Sequence, residues 1–232
     1  VQFHNQRQYK EPDMALTLYA HPFSSYCQKV LVALYENGTP FEFRMLSPDE
    51  PENTERLAEI WPFRRFPVLV EDGRAVCESS VIIEHLVLYH PGPVPLLPED
   101  PRAALEVRFM DRFFDLYIST PQQKFVLDRL RPEDSRDPFG VEEAGRMFDT
   151  AYQWLDDKMR DRKWAAGDSF TLADCAAAPA LFYADWTYPI DPSFTHVHNY
   201  RKRLLQRPSF ARAVDEARPY RPLFPLGAPD RD

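Results

Sequence analysis

Apolar positions recur along this chain with two different periods, which alternate up to about residue 91 and give way to a helical period alone beyond it. Ala15–Ala20 (ALTLYA) is apolar and stops at His21-Pro22, which predicts a strand and then a turn. Ser24–Asn37 carries Tyr26, Val30 and Leu34 at i, i+4 and i+8, the repeat of a helix. Gly38 follows, where a left-handed residue ends a helix. Phe41–Met45 alternates like a strand, and Asn53–Ile60 is a short helical piece that stops before Trp61-Pro62. Phe66–Val70 predicts a strand, Glu71-Asp72-Gly73-Arg74 a hairpin turn, and Ala75–Cys77 the return strand. Ser79 or Ser80 can cap a helix that runs to about Tyr89. The order is βαβαββα, an α/β unit over residues 14–91.

Residues 92–101 form a stiff linker, because the stretch PGPVPLLPEDP holds five prolines and proline has no amide donor. Beyond it, over residues 102–218, the period is helical throughout. Leu105, Phe109 and Phe113, with Leu116 and Tyr117, make one stripe; Phe148, Tyr152, Leu155 and Met159 make another. Ala173–Ala184, Tyr200–Gln206 and Phe210–Ala217 predict three more helices, and Arg131–Phe139 a loop. Residues 219–232, with four prolines, predict a tail draped over the surface. Residues 1–13 are polar and patternless, and a disordered extension is expected there.

Composition narrows the class. The 232 residues are 44% hydrophobic and 28% charged, which fits a globular chain and not a disordered one. The net charge of −8 is the wrong sign for a general nucleic-acid partner. No apolar run is long enough to span a membrane, so no membrane partner is expected. Three cysteines, an odd number, suit a reducing compartment, and a cytoplasmic location is expected.

Four short patterns carry chemistry. His21-Pro22-Phe23-Ser24-Ser25-Tyr26-Cys27 joins the first strand to the first helix, so Ser24 or Ser25 stands at a helix N-terminus. Arg64-Arg65-Phe66-Pro67 precedes the third strand. Cys77-Glu78-Ser79-Ser80 opens the third helix, where amides favour a carboxylate. Phe170-Thr171-Leu172-Ala173-Asp174 has the spacing of a capping box. His196-x-His198 lacks companion ligands at helpful spacing, and no metal is expected.

These patterns on this layout resemble the glutathione S-transferase superfamily over about residues 15–217, with a serine-type turn like that of its tau and zeta classes. The resemblance implies a thioredoxin-like N-terminal domain, an all-helical C-terminal domain and a homodimer. It implies that glutathione is the co-substrate and that Ser24, or else Ser25, touches its sulfur. Pro67 matches the family's cis-proline, which leaves the backbone of Phe66 to pair with the cysteinyl unit. Arg65, with Arg64 as a second candidate, matches a position that reaches the glycyl carboxylate. Glu78 and Ser79 match the pair that holds the γ-glutamyl ammonium and carboxylate.

The physics of the serine is direct. A hydroxyl donating to a thiolate is worth about 1.5–3 kcal/mol. One pKa unit is 1.36 kcal/mol, so a thiol near 8.5 moves toward roughly 6.5–7.5. The implied function is attack of that thiolate on a small hydrophobic electrophile. Phe113, Phe114, Tyr117, Tyr183 and Trp186 are candidate walls for it. Cys27 stands where a redox relative's resolving thiol falls, but Ser24 replaces the attacking one, and Cys27 and Cys77 are expected to be buried small residues. Glutathione-dependent isomerisation or reduction, and a non-catalytic scaffold of the same fold, are the alternatives.

Overall fold

The computed structural model describes residues 16–232. The expected extension at residues 1–13 lies outside the described residues.

The N-terminal unit holds strands β1 (Thr17–Ala20), β2 (Glu42–Met45), β3 (Val68–Glu71) and β4 (Arg74–Cys77), and helices α1 (Ser25–Asn37), α2 (Pro51–Ile60) and α3 (Ser79–Tyr89). The sheet order is β2-β1-β3-β4, with β1 parallel to β2 and antiparallel to β3. This is the thioredoxin-like βαβαββα arrangement. Gly38 ends α1 at φ 60°, and its N–H reaches back to the carbonyls of Leu34 and Tyr35. Asp72 and Gly73 take φ 49° and 75°, which makes the tight two-residue turn that pairs Glu71 with Arg74.

Residues 90–100 contain no helix or strand. The helical part follows as α4 (Pro101–Phe113), a π-helical stretch (Phe114–Ser119), α5 (Thr120–Leu130), α6 (Pro138–Met159), α7 (Leu172–Thr187), α8 (Thr195–Leu205) and α9 (Pro208–Ala217). The tail starts as a 3-10 turn at Arg218–Leu223 and buries Phe224.

α1 and α7 form the centre. Every residue from Cys27 to Leu34 is buried, and so is every residue from Leu172 to Trp186. A helix buried on all sides must be covered all round. α1 packs on α3 on one side and on α7 and α9 on the other, so the α/β unit and the helices share one apolar core.

Three readings of the sequence need correction. Of the stripe Leu105, Phe109, Phe113, Leu116 and Tyr117 only Phe113 is buried; the other four are exposed, and α4 buries Ala104, Val107 and Met110 in their place. Two apolar faces compete on this helix, and α7 covers only one of them. The π-helical stretch and α5 continue α4, and Pro121 in the first turn of α5 marks its start, a signal the sequence reading left unused, so α5 goes unread in the sequence. Neither Ser79 nor Ser80 caps α3; Glu78 takes the N-cap position and makes no side-chain cap bond.

Asp174 does more than close a cap. It is fully buried and accepts from the Thr171 N–H (2.9 Å), the Ala165 N–H (2.9 Å), the Thr171 hydroxyl (3.2 Å) and Tyr200 Oη (2.6 Å). Burial raises its pKa to about 6, against the opposing pull of these bonds. It ties α7, α8 and the preceding loop to one carboxylate.

Candidate functional site

The sheet register gathers the candidate residues. Tyr19 pairs with Val68, and Val68 pairs with Cys77. The exit of β1, the entry of β3 and the exit of β4 therefore share one end of the sheet. His21–Ser24 leaves there, Pro67 enters there, and Glu78-Ser79 leaves there. α1 and α3 both start at this end, so two helix N-termini, each with unpaired amides, face the same region.

Ser24 is the N-cap of α1. Its Oγ accepts the Cys27 N–H at 3.4 Å. That bond uses a lone pair and leaves the hydroxyl proton free to donate, so capping and donation to a sulfur are compatible. Ser25 is the first helical residue and is half-buried. The turn before them is held by the Ser24 N–H on the His21 carbonyl (3.0 Å) and the Phe23 N–H on His21 Nδ1 (3.1 Å). Burial lowers the pKa of His21, which suits a ring whose Nδ1 accepts.

The Phe66–Pro67 peptide is cis. Pro67 is buried and Phe66 exposed, and the ladder between β3 and its neighbours begins only at Val68. The Phe66 backbone thus stands at the sheet end outside the ladder. Arg64 and Arg65 are exposed, and neither forms an ion pair among the described residues. Glu78 takes φ 70°, ψ 122°, and Arg64 takes φ 52°. Such a conformation costs a non-glycine residue about 1–3 kcal/mol, and strain of this kind clusters at functional sites. Asp72, in the hairpin, is the other described non-glycine residue with positive φ. Ser79 is buried in the first turn of α3.

Beneath this end lies a charged cluster that the sequence reading missed. Lys29 of α1 is 1% exposed; its Nζ lies 2.6 Å from Asp111 and 2.9 Å from Asp115 and donates to Ser80 Oγ at 2.9 Å. Ser80 Oγ donates to Asp111 at 2.7 Å and accepts from Arg112 at 2.9 Å. Arg112 also pairs with Asp115. Burial pushes the Asp115 carboxyl up even against Lys29. A lysine directly before the apolar run Val30–Leu34, on a helix with no other charged residue until Glu36, was the available signal.

Two family models match the chain: the glutathione S-transferase N-terminal domain over residues 18–94 and its C-terminal domain over residues 138–203. A glutathione S-transferase from Methylobacterium radiotolerans, solved in complex with glutathione sulfonate, superposes with a TM-score of 0.76. It is 32% identical, over 86% of this chain and 94% of that one. The chain belongs to the glutathione S-transferase superfamily. Curated superfamily relatives carry different names. A probable maleylacetoacetate isomerase from Caenorhabditis elegans is 29% identical, over 87% of this chain and 94% of its own length. A stringent starvation protein A homolog from Coxiella burnetii is 27% identical, over 87% and 92%.

Within this superfamily fold burial disfavours the thiolate at all three cysteines. Cys27 and Cys175 are buried, and burial raises the Cys27 thiol to about 12 and Cys175 well above the ordinary range. Cys77 is half-buried and also raised by burial. The candidate walls for an electrophile separate into two sets. Phe114, Tyr183 and Trp186 are core residues, and Tyr183 Oη accepts from Gln28 at 3.1 Å. Phe113 and Tyr117, with Phe109, Met147 and Trp154, line a groove of about 950 Å³ between α4 and α6. No residue of the α/β unit borders that groove, so it does not adjoin Ser24. The surroundings of the turn are other residues. Tyr220 meets His21 edge to face at 4.8 Å, Phe224 meets Phe23 edge to face at 6.5 Å, and Tyr26 lies near Asp115, Arg112 and Ser119 of α4 and the π-helical stretch. The tail and the π-helical stretch thus flank the turn, and only the tail's prolines hinted that it was structured.

Proposed function

We propose that the chain is a glutathione-dependent enzyme. Glutathione lies along the Phe66-Pro67 edge, with its γ-glutamyl end at Glu78 and Ser79 and its sulfur at Ser24. The observation that carries this reading is the register, which puts a serine N-cap, a cis-proline entry and a strained acidic N-cap at one sheet end. The two flanking cations, Arg64 and Arg65, suit the second carboxylate of the peptide. The thiolate attacks an apolar electrophile held between the tail and the π-helical stretch.

Isothermal titration with glutathione tests binding. Saturable binding supports the reading, and no binding moves the chain to the non-catalytic scaffold class. Turnover on an activated aryl halide, a cis-alkene diacid and a mixed disulfide then separates transfer, isomerisation and reduction. Isomerisation is the second reading, favoured by the Ser24-Ser25 turn and by the name of the Caenorhabditis elegans relative. Reduction is disfavoured, because Ser24 holds the attacking position and the Cys27 thiol is buried.

Glu78→Gly removes the carboxylate and the strain together. Glutathione affinity is expected to fall about 3–10-fold, the range for one exposed hydrogen bond of ~0.7–1.4 kcal/mol. Stability is expected to change by less than about 1 kcal/mol. Relief of ~1–2 kcal/mol of left-handed strain is offset by ~0.5–1 kcal/mol of glycine flexibility. Calorimetry and a melting curve on the same sample check both.

We also propose a homodimer in a reducing compartment such as the cytoplasm. Val81 and Leu88 of α3 and Leu105 and Phe109 of α4 are exposed apolar residues on consecutive helices. The three cysteines are free, and no helix among the described residues is long and apolar enough to cross a membrane. Light scattering on the eluting peak measures the mass, and a single-chain mass at micromolar concentration overturns the dimer.

A further inference from the structure

The far end of the α/β unit holds a cluster that the proposed chemistry does not use. Glu71 closes β3, His85 lies on the last turns of α3, and His90 is that helix's C-cap. Both imidazoles aim Nε2 at the same carboxylate: His85 at Oε2 and His90 at Oε1, each at 2.6 Å. All three ligand-type atoms lie within 4.8 Å of one another. The side chains are only 12–20% exposed, so the group is sheltered from bulk water but reachable from it. Tyr89 stacks on His85 at 4.7 Å and helps to fix its ring. Burial pushes the Glu71 carboxyl up, but the two histidine bonds outweigh it and hold the group below its ordinary range, so the carboxylate is charged at neutral pH.

We propose that Glu71, His85 and His90 form a binding site for a divalent transition-metal ion of the zinc class. Two imidazoles and one carboxylate are a sufficient protein set for zinc, with water in the fourth position. Imidazole nitrogen selects zinc, copper or nickel over magnesium or calcium, which prefer oxygen. Ligands about 2.0–2.1 Å from a tetrahedral ion stand about 3.3 Å apart. The two 2.6 Å contacts open by about 0.7 Å, and the two imidazole nitrogens, within 4.8 Å of one another, come to about the same 3.3 Å to admit it. Each ring offers Nε2 to the ion, which requires the Nε2 proton to leave or to move to Nδ1. The three residues are 14 and 5 apart in sequence, so no local motif announces them. The hairpin folding back onto α3 brings them together. A bound ion would clamp that hairpin to the C-terminal end of α3.

The full-length chain, stripped with a chelator, is titrated with Zn²⁺ and with Co²⁺. One ion per chain is expected, at micromolar Kd or tighter, with visible cobalt bands of a four- or five-coordinate nitrogen–oxygen site. At about 100 Kd of free Zn²⁺ the melting temperature is expected to rise by about 5–10 °C. Affinity is expected to fall about tenfold per pH unit for each imidazole titrated below its pKa, since protons compete for the ligands. His85→Gln and His90→Gln are each expected to abolish the cobalt bands and the thermal shift. Should either variant fail to fold, Co²⁺ broadening of the His85 and His90 ring signals in the unaltered protein gives the same answer. Absence of saturable binding overturns the proposal. So does binding that survives both substitutions, or that disappears instead with His196→Gln and His198→Gln or with thiol blocking.

Discussion

Lys29→Met is expected to destabilise the protein by about 3–5 kcal/mol, the cost of removing one partner from a buried ion pair. For a chain of this size that is a fall of roughly 6–20 °C in melting temperature. The lysine is not stabilising because charges attract. Desolvating three ions costs about as much as their attraction returns, and an apolar replacement of the whole cluster is often neutral. The loss arises because Asp111 and Asp115 stay behind, 4% and 10% exposed, with only the half-exposed Arg112 to pair with them. The sign with pH follows. Asp115 already has its folded pKa raised by burial, so its contribution is present at low pH and lost as pH rises through that pKa. Without Lys29 the Asp115 carboxyl is pushed further up. The variant's deficit should therefore be larger at pH 8 than at pH 5, and urea melts at the two pH values measure it. Adding Asp111→Asn and Asp115→Asn should recover much of the loss, and a deficit unchanged by these would show that packing, not charge, dominates. Ser80 links the cluster to the first turn of α3, so the single variant should also weaken glutathione binding.

The cluster also shows what the sequence could disclose. The βαβαββα order was legible because each element carries its own period and its own punctuation, such as Gly38 and the Asp72-Gly73 turn. The sheet end was legible for the same reason: Ser24, Pro67 and Glu78 each sit at an element boundary, where local rules apply. Lys29 with Asp111 and Asp115, and Glu71 with His85 and His90, were not legible. Their meaning lies in contacts between elements far apart in the chain, and no period encodes those. The misread stripe of α4 has the same origin. Leu105 and Phe109 are apolar at helical spacing, yet the helix turns Val107 and Met110 to the core, and only packing decides between two apolar faces. The tail was visible as proline-rich, but its edge-to-face contact with His21 and Phe23 was not.

Ser24→Ala is expected to raise the pKa of bound glutathione by about 1–2 units, since it removes one hydrogen bond to a charged sulfur worth ~1.5–3 kcal/mol. Near pH 6.5 the thiolate fraction then falls about 10–50-fold. Turnover falls less, to roughly a fifth, because the more basic thiolate is a better nucleophile, with a sensitivity of about 0.4–0.5 per unit of pKa. The same reasoning fixes the profile. The thiolate is the reactive form, so activity rises as pH passes the pKa, and the variant's rise is displaced upward by the pKa change. Above about pH 9.5 the bound thiol is about nine-tenths or more ionised in both proteins. There the deficit should close, and the variant should equal or overtake the unaltered enzyme. A merely structural loss would lower the whole profile at every pH and would not cross. Loss of the cap costs ~1 kcal/mol of stability on its own, which a melting curve registers separately from the rate. Glutathione affinity should barely change, because the proposed binding mode holds the peptide's carboxylates and backbone elsewhere, at Arg65, Phe66, Glu78 and Ser79. Ser25→Ala is the control: the upward displacement appearing there instead would move the donor one residue along α1, and its absence from both variants would remove serine from the activation of the thiol.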